Sequence, residues 1–163
     1  MDTNAHDLDP VVLVGFDGSA DARAALRYAL DEARRRSARL RVVDVWQFPT
    51  TVAMGMVLPP DFADVSAKAA AEALSKAVDE LGASDVPVDQ VVTDGIPSHV
   101  LVEESRRAEV LVVGSRGRGA FTGMLLGSVS QACVHHAACP VVVMPHQPVP
   151  TSDAGRKQVA PAA

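Results

Sequence analysis

The sequence predicts an α/β fold: one five-stranded parallel sheet, doubly wound, with helices on both faces. Two observations carry this. Five short β-branched runs, at 11–17, 40–46, 88–93, 110–113 and 141–144, are nearly continuous in apolar character rather than alternating, which is how strands buried on both faces read. Four segments with apolar residues at helical spacing lie between them, and strands alternating with helices imply parallel pairing through right-handed crossovers. The expected strand order is 3-2-1-4-5.

Each helix has its own signals. In the first, Ala22, Ala25, Leu26, Ala29, Leu30 and Ala33 share one face, and Ser19 is placed to cap it. Asp21, Arg27, Asp31, Arg34 and Arg35 are expected on the opposite, solvent side. The second runs over 61–81, with Val65, Ala69, Ala73, Leu74, Ala77 and Leu81 on one face and Gly82 as a left-handed stop. The third covers 97–107, starting at a proline, which a first helical turn tolerates. The fourth begins near Ser128 and ends before Pro140. Three prolines in 47–60 suggest a mobile loop over one end of the sheet. Residues 1–146 read as one domain and 147–163, with Pro148, Pro150 and Pro161, as a flexible tail.

Composition narrows the function classes. The chain has 163 residues, of which 48% are hydrophobic, enough for one core without staples at roughly 100–200 residues per domain. Two cysteines make no disulfide framework and match no zinc spacing. A net charge of −5 lacks the basic bias of general nucleic-acid binding. No apolar run approaches the roughly 18 residues of a membrane span, and the first ten residues carry no signal-peptide core. A cytoplasmic protein is expected, with no nucleic acid and no membrane among its partners.

The chemistry concentrates in two places. Residues 114–130 follow the fourth strand and lead into the fourth helix, with glycines at 114, 117, 119, 123 and 127. Such a loop can turn backbone N–H groups toward a ligand. Gly127-Ser128-Val129-Ser130 then offers free N–H groups and two hydroxyls at a helix start, where the dipole favours phosphate. Neither the P-loop nor the dinucleotide G-x-G-x-x-G order is present; a plain flexible connection is the competing reading. The second place is Val14-Gly15-Phe16-Asp17-Gly18-Ser19, an acid at the carboxyl end of the first strand. Ligands of open α/β sheets bind outside the strand ends where the order reverses, here between strands one and four. A carboxylate beside phosphates asks for a bridging Mg²⁺. The alternative is that Asp17-Gly18 only makes a turn or caps the first helix.

Gly114-x-x-Gly117, nine residues, then Gly127-Ser128 resembles the ATP-binding signature, G-2x-G-9x-G-S, of the universal stress protein family. The likeness extends to Val14–Ser19 and to the run from Gly127 to Val143, spanning about residues 9–145. The resemblance implies a Rossmann-like, adenine nucleotide alpha hydrolase-like fold, and ATP with Mg²⁺ as ligands. Gly15 would belong to the nucleotide site, Asp17 would lie by the phosphates and metal, Val45 would touch adenine, and Gly114 and Gly117 would approach ribose and phosphates. Gly127, Ser128, Val129 and Ser130 would hold the phosphates. It also implies a homodimer joined along the last strand and further protein partners not named by the sequence. The expected role is a nucleotide-dependent regulator in stress response. Two alternatives stand beside it: a weak ATPase or adenylyl-transfer enzyme, and an interaction module needing no nucleotide. Against an enzyme, no histidine, lysine or second carboxylate falls in a motif placed to act as acid or base, so at most slow hydrolysis is expected.

Other conspicuous residues have plainer readings. Cys133 and Cys139 read as packed small side chains. His135 and His136, adjacent on a helix, point about 100° apart and make a poor metal pair. Arg34, Arg35, Arg36, Arg39 and Arg41 read as an exposed helix end. Arg116 and Arg118 could touch phosphates or only solvate the loop. Trp46 should lie near the crevice.

Overall fold

The computed structural model of the chain describes residues 10–49, 55, 57–118 and 125–146. The expected tail, Gly119, Gly123 and part of the 47–60 loop lie outside these. Five strands, β1 (Val11–Phe16), β2 (Arg39–Trp46), β3 (Val88–Asp94), β4 (Val110–Gly114) and β5 (Val141–Met144), alternate with four α-helices. The helices are α1 (Ala20–Arg36), α2 (Phe62–Leu81), α3 (Pro97–Glu104) and α4 (Ser128–His136). All strand pairs are parallel, in the order β3-β2-β1-β4-β5. β1 therefore sits at the centre with β2 and β4 beside it, and the order reverses between β1 and β4.

Side-chain alternation along the strands divides the core in two. Val12, Val14 and Phe16 pack with Leu40, Val42 and Val112 under α1 and α2. Leu13, Val43, Leu111 and Val113 pack on the other face against Leu101 of α3 and Cys133 of α4. The central strands are apolar on both faces for this reason, whereas β3 and β5, at the edges, are only partly covered.

Local chemistry sets the helix limits. The Ser19 hydroxyl accepts from the Ala22 N–H at 3.1 Å and starts α1. Gly82, at φ +62°, stops α2. The third helix is shorter than expected: after Glu104 the chain tightens into a 3₁₀ turn over Ser105–Arg107. There the Ser105 hydroxyl donates to the Val102 carbonyl and accepts from the Ala138 N–H, so a buried serine ties this corner to the end of α4.

The arginine cluster is corrected in two respects. Arg39 and Arg41 belong to β2, not to a helix end, and make two-pronged bonds to Asp89 and Glu104. Arg34, Arg35 and Arg36 do end α1, but each is ion-paired, to Asp85, Glu32 and Glu32 with Glu109 respectively. Among the described residues no helix is long and apolar enough to cross a membrane.

Candidate functional site

The carboxyl ends of β1, β2 and β4 open into a cleft of about 910 Å³, within the range of small-molecule sites. All nine site residues expected from the sequence line it: Gly15, Asp17, Val45, Gly114, Gly117, Gly127, Ser128, Val129 and Ser130. Trp46, Arg116 and Arg118 line it as well.

The glycine loop is pinned from three directions. Asp17, one residue past β1, accepts from the Ser19 N–H through Oδ1 at 2.9 Å and from the Arg118 N–H through Oδ2 at 3.0 Å. It thus forms the turn into α1, as the plainer sequence reading holds, and also clamps the loop. Gly18, at φ +79°, occupies the left-handed region that this turn requires. A Cβ at Gly117 would stand 2.6 Å from Asp17 Oδ2, so only glycine lets the loop pass this close. A Cβ at Gly114 would meet Asp21 Cβ at 2.8 Å and its carbonyl carbon at 2.9 Å. Gly114 therefore makes room for the start of α1 while it also lines the cleft.

The second anchor is Asp21, and here the structure overturns the expectation of a solvent-facing side chain. Asp21 is 4% exposed. Its Oδ2 accepts from the Ser115 hydroxyl at 3.1 Å and the Arg116 N–H at 3.2 Å, and its Oδ1 lies 2.8 Å from His146 Nδ1. At the second position of α1 it points back along the helix start toward the loop, where a face count does not apply. Ser115 is the third anchor: its N–H donates to the Met144 carbonyl, and its own carbonyl accepts from the Gly127 N–H at 2.7 Å. The Ser130 hydroxyl also donates to that carbonyl, at 3.0 Å. Ser130 is buried, and its hydroxyl is shared with the Gly127 carbonyl at 2.9 Å, so it holds the loop against the start of α4.

The start of α4 remains open. Gly127 caps it without a side-chain bond, and the first intrahelical N–H is that of Gln131, donating to the Gly127 carbonyl. Ser128, Val129 and Ser130, whose N–H groups precede it, line the cleft. Unmet N–H groups at a helix start attract anions.

A second carboxylate, which the sequence reading did not find, lines the same cleft. Asp44 on β2 pairs in register with Phe16 and is 6% exposed. Burial pushes its carboxyl up to about 6; the nearby Arg118 charge opposes this and that of Asp17 adds to it. The visible signal was a lone acid in the otherwise apolar Val42-Val43-Asp44-Val45-Trp46. Cys133 is fully buried, and burial pushes its thiol up to about 11, so it packs and does not react. His135 and His136 are exposed side by side. Among the described residues no group of three metal-binding side chains is gathered.

The sequence profile described as the universal stress protein family matches residues 10–145. The chain belongs to the universal stress protein family. A universal stress protein of Mycobacterium tuberculosis is 43% identical over 135 residues, covering 81% of this chain and 44% of its own. The chain thus spans about half the length of the curated universal stress proteins it matches. Among solved structures, a universal stress protein in complex with cAMP is 25% identical, with a TM-score of 0.59, covering 83% of this chain and 96% of the relative's. One from Archaeoglobus fulgidus in complex with dAMP is 23% identical, TM-score 0.59, covering 83% and 97%. The universal stress protein fold, a Rossmann-like α/β sandwich, is the one described above.

Proposed function

We propose that the cleft binds an adenine nucleotide, ATP with Mg²⁺, and that the chain acts as a nucleotide-dependent regulatory protein in stress response. The observation that carries this reading is the uncapped start of α4 opening beside Asp17, where the strand order reverses. Three backbone N–H groups and the Ser128 hydroxyl supply an anion cradle without any fixed positive charge of their own. Arg116 and Arg118 lie in the same cleft and would add charge to it. Solved relatives in complex with cAMP and dAMP lend the adenine class support.

The residues fit a magnesium ion carried on phosphates. Each Asp17 oxygen accepts one backbone N–H and keeps a further lone pair, and Mg²⁺ is commonly held by one or two carboxylates plus phosphate oxygens. The ion would neutralise the repulsion between Asp17 and the phosphates. Val45, with Gly15, would meet the base, and Gly117 would let the loop close over the ribose and phosphates. In this reading residues 1–146 form one nucleotide-binding domain in the cytoplasm. β5, at the sheet edge, pairs with its copy in a homodimer, since an uncovered edge strand is a liability.

The direct test is to denature freshly purified protein and identify released nucleotide by mass spectrometry. ATP near one per chain, lost in an Asp17→Ala, Gly117→Ala variant that keeps its circular dichroism, supports the reading. Nucleotide-free protein that also ignores added Mg-ATP overturns it and favours an interaction module.

A further inference from the structure

The cleft has an arm that the nucleotide reading leaves unused. Strand alternation puts Val43 and Val45 on the α3/α4 face of the sheet with the residues of the anion cradle, and puts Asp44 and Trp46 on the opposite face, toward α1 and α2. There the cleft is walled by Ser66, Ala69, Ala70 and Ala73 of α2. Trp46 stands at the lip, its ring 4.9 Å from Phe48 edge to face, and Phe48 is 6.0 Å from Phe62 at the start of α2.

Asp44 is the floor of this arm and has no hydrogen bond or ion pair among the described residues. The same residues contain no fully enclosed side-chain oxygen that lacks a partner. The carboxylate oxygens must therefore be reached from the cleft, although the residue as a whole is 94% covered. Arg118 and Asp17 are the charged groups near enough to act on it, and Arg118 does not come within ion-pairing distance. A buried carboxylate left without a donor is costly, and small alanines beside it leave room for a donor to enter.

We infer that this arm is a binding subsite for an organic ammonium group, a protonated amine whose N–H groups bond to Asp44 while its cationic end lies beside Trp46. An ammonium supplies the donors and charge the carboxylate lacks and is drawn to aromatic faces. A phosphate or carboxylate would be repelled. A bare divalent cation would need several more oxygen ligands, and methyl groups and aromatic rings form most of the walls. The inference does not depend on nucleotide binding.

The test uses the nucleotide-free full chain, titrated with n-butylammonium chloride at pH 7.5 and constant ionic strength and followed by the fluorescence of Trp46, the chain's single tryptophan. Tetramethylammonium, which has no N–H, serves as the comparison. A saturable signal that weakens at least about tenfold in Asp44→Asn, as loss of a charged hydrogen bond would give, and that tetramethylammonium does not reproduce, supports the subsite. Ala73→Leu, which fills the arm without altering the carboxylate, should abolish it as well and serves if Asp44→Asn fails to fold. No saturation, an unchanged Asp44→Asn titration, or equal binding of tetramethylammonium would overturn the inference. ATP binding measured on the same sample separates the two readings, because either can fail while the other stands.

Discussion

Replacing Asp44 with asparagine should stabilise the protein at neutral pH, an unusual direction for a buried polar position. The carboxyl is raised from 3.8 to about 6 in the folded chain, chiefly by burial. The folded state therefore holds this proton more tightly than the unfolded state does. Between those two values the folded form carries more protons, and stability falls as pH rises. The contribution is whole below pH 3.8 and has been lost once pH passes 6. A shift of about 2 units corresponds to roughly 3 kcal/mol of destabilisation at pH 7.5 and roughly half of that at pH 5. Asparagine keeps the shape and removes the charge. Urea unfolding of both proteins at the two pH values should show the variant more stable by up to about 3 kcal/mol at pH 7.5, with the gap narrowing by about 1–1.5 kcal/mol at pH 5. A variant less stable than the parent at pH 7.5, or a gap that does not change with pH, would show that Asp44 has a partner in the folded chain and refute the reasoning.

Three further outcomes follow from the same geometry. Asp21→Ala strands the Ser115 hydroxyl and the Arg116 N–H and frees His146; urea unfolding should show a loss of at least about 1–3 kcal/mol, and nucleotide affinity should fall with the slackened loop. Cys133, fully buried with its thiol near 11, should label with iodoacetamide at pH 8 more slowly than half-buried Cys139, as peptide mass mapping would read; equal labelling of both would contradict the packing. Sedimentation at micromolar concentration should give a dimer that Val143→Pro disperses, because the backbone of Val143 faces the free edge of β5 while those of Pro140, Val142 and Met144 face β4; a monomeric parent would exclude pairing through that edge.

The fold was legible because the sheet is parallel. Strands covered on both faces cannot hide their continuous apolar runs, and Ser19 and Gly82 mark helix limits with side-chain and backbone chemistry that acts over three or four residues. The site was legible as a set of positions, but not the packing that holds them together. Gly117 was singled out as a ligand contact, and its close neighbour is Asp17; Gly114 makes room for the start of α1. Both depend on what the fold brings opposite the loop, about 100 residues away in sequence for Asp17 and Arg118. Asp21 was misplaced because helical face counting fails in a first turn that leans on a neighbouring loop. Asp44 was visible as a lone acid in an apolar strand, yet only the parallel register beside Phe16 shows that the strand end opens into the cleft instead of the core.

The measurement closest to the central claim is calorimetric titration of the purified chain with Mg-ATP, repeated with Gly117→Ala. One site per chain is expected in the parent, weakened at least about tenfold in the variant because a Cβ there crowds the Asp17 carboxylate that holds the loop. Heat indistinguishable from dilution in the parent, or the same affinity in the variant, would contradict it.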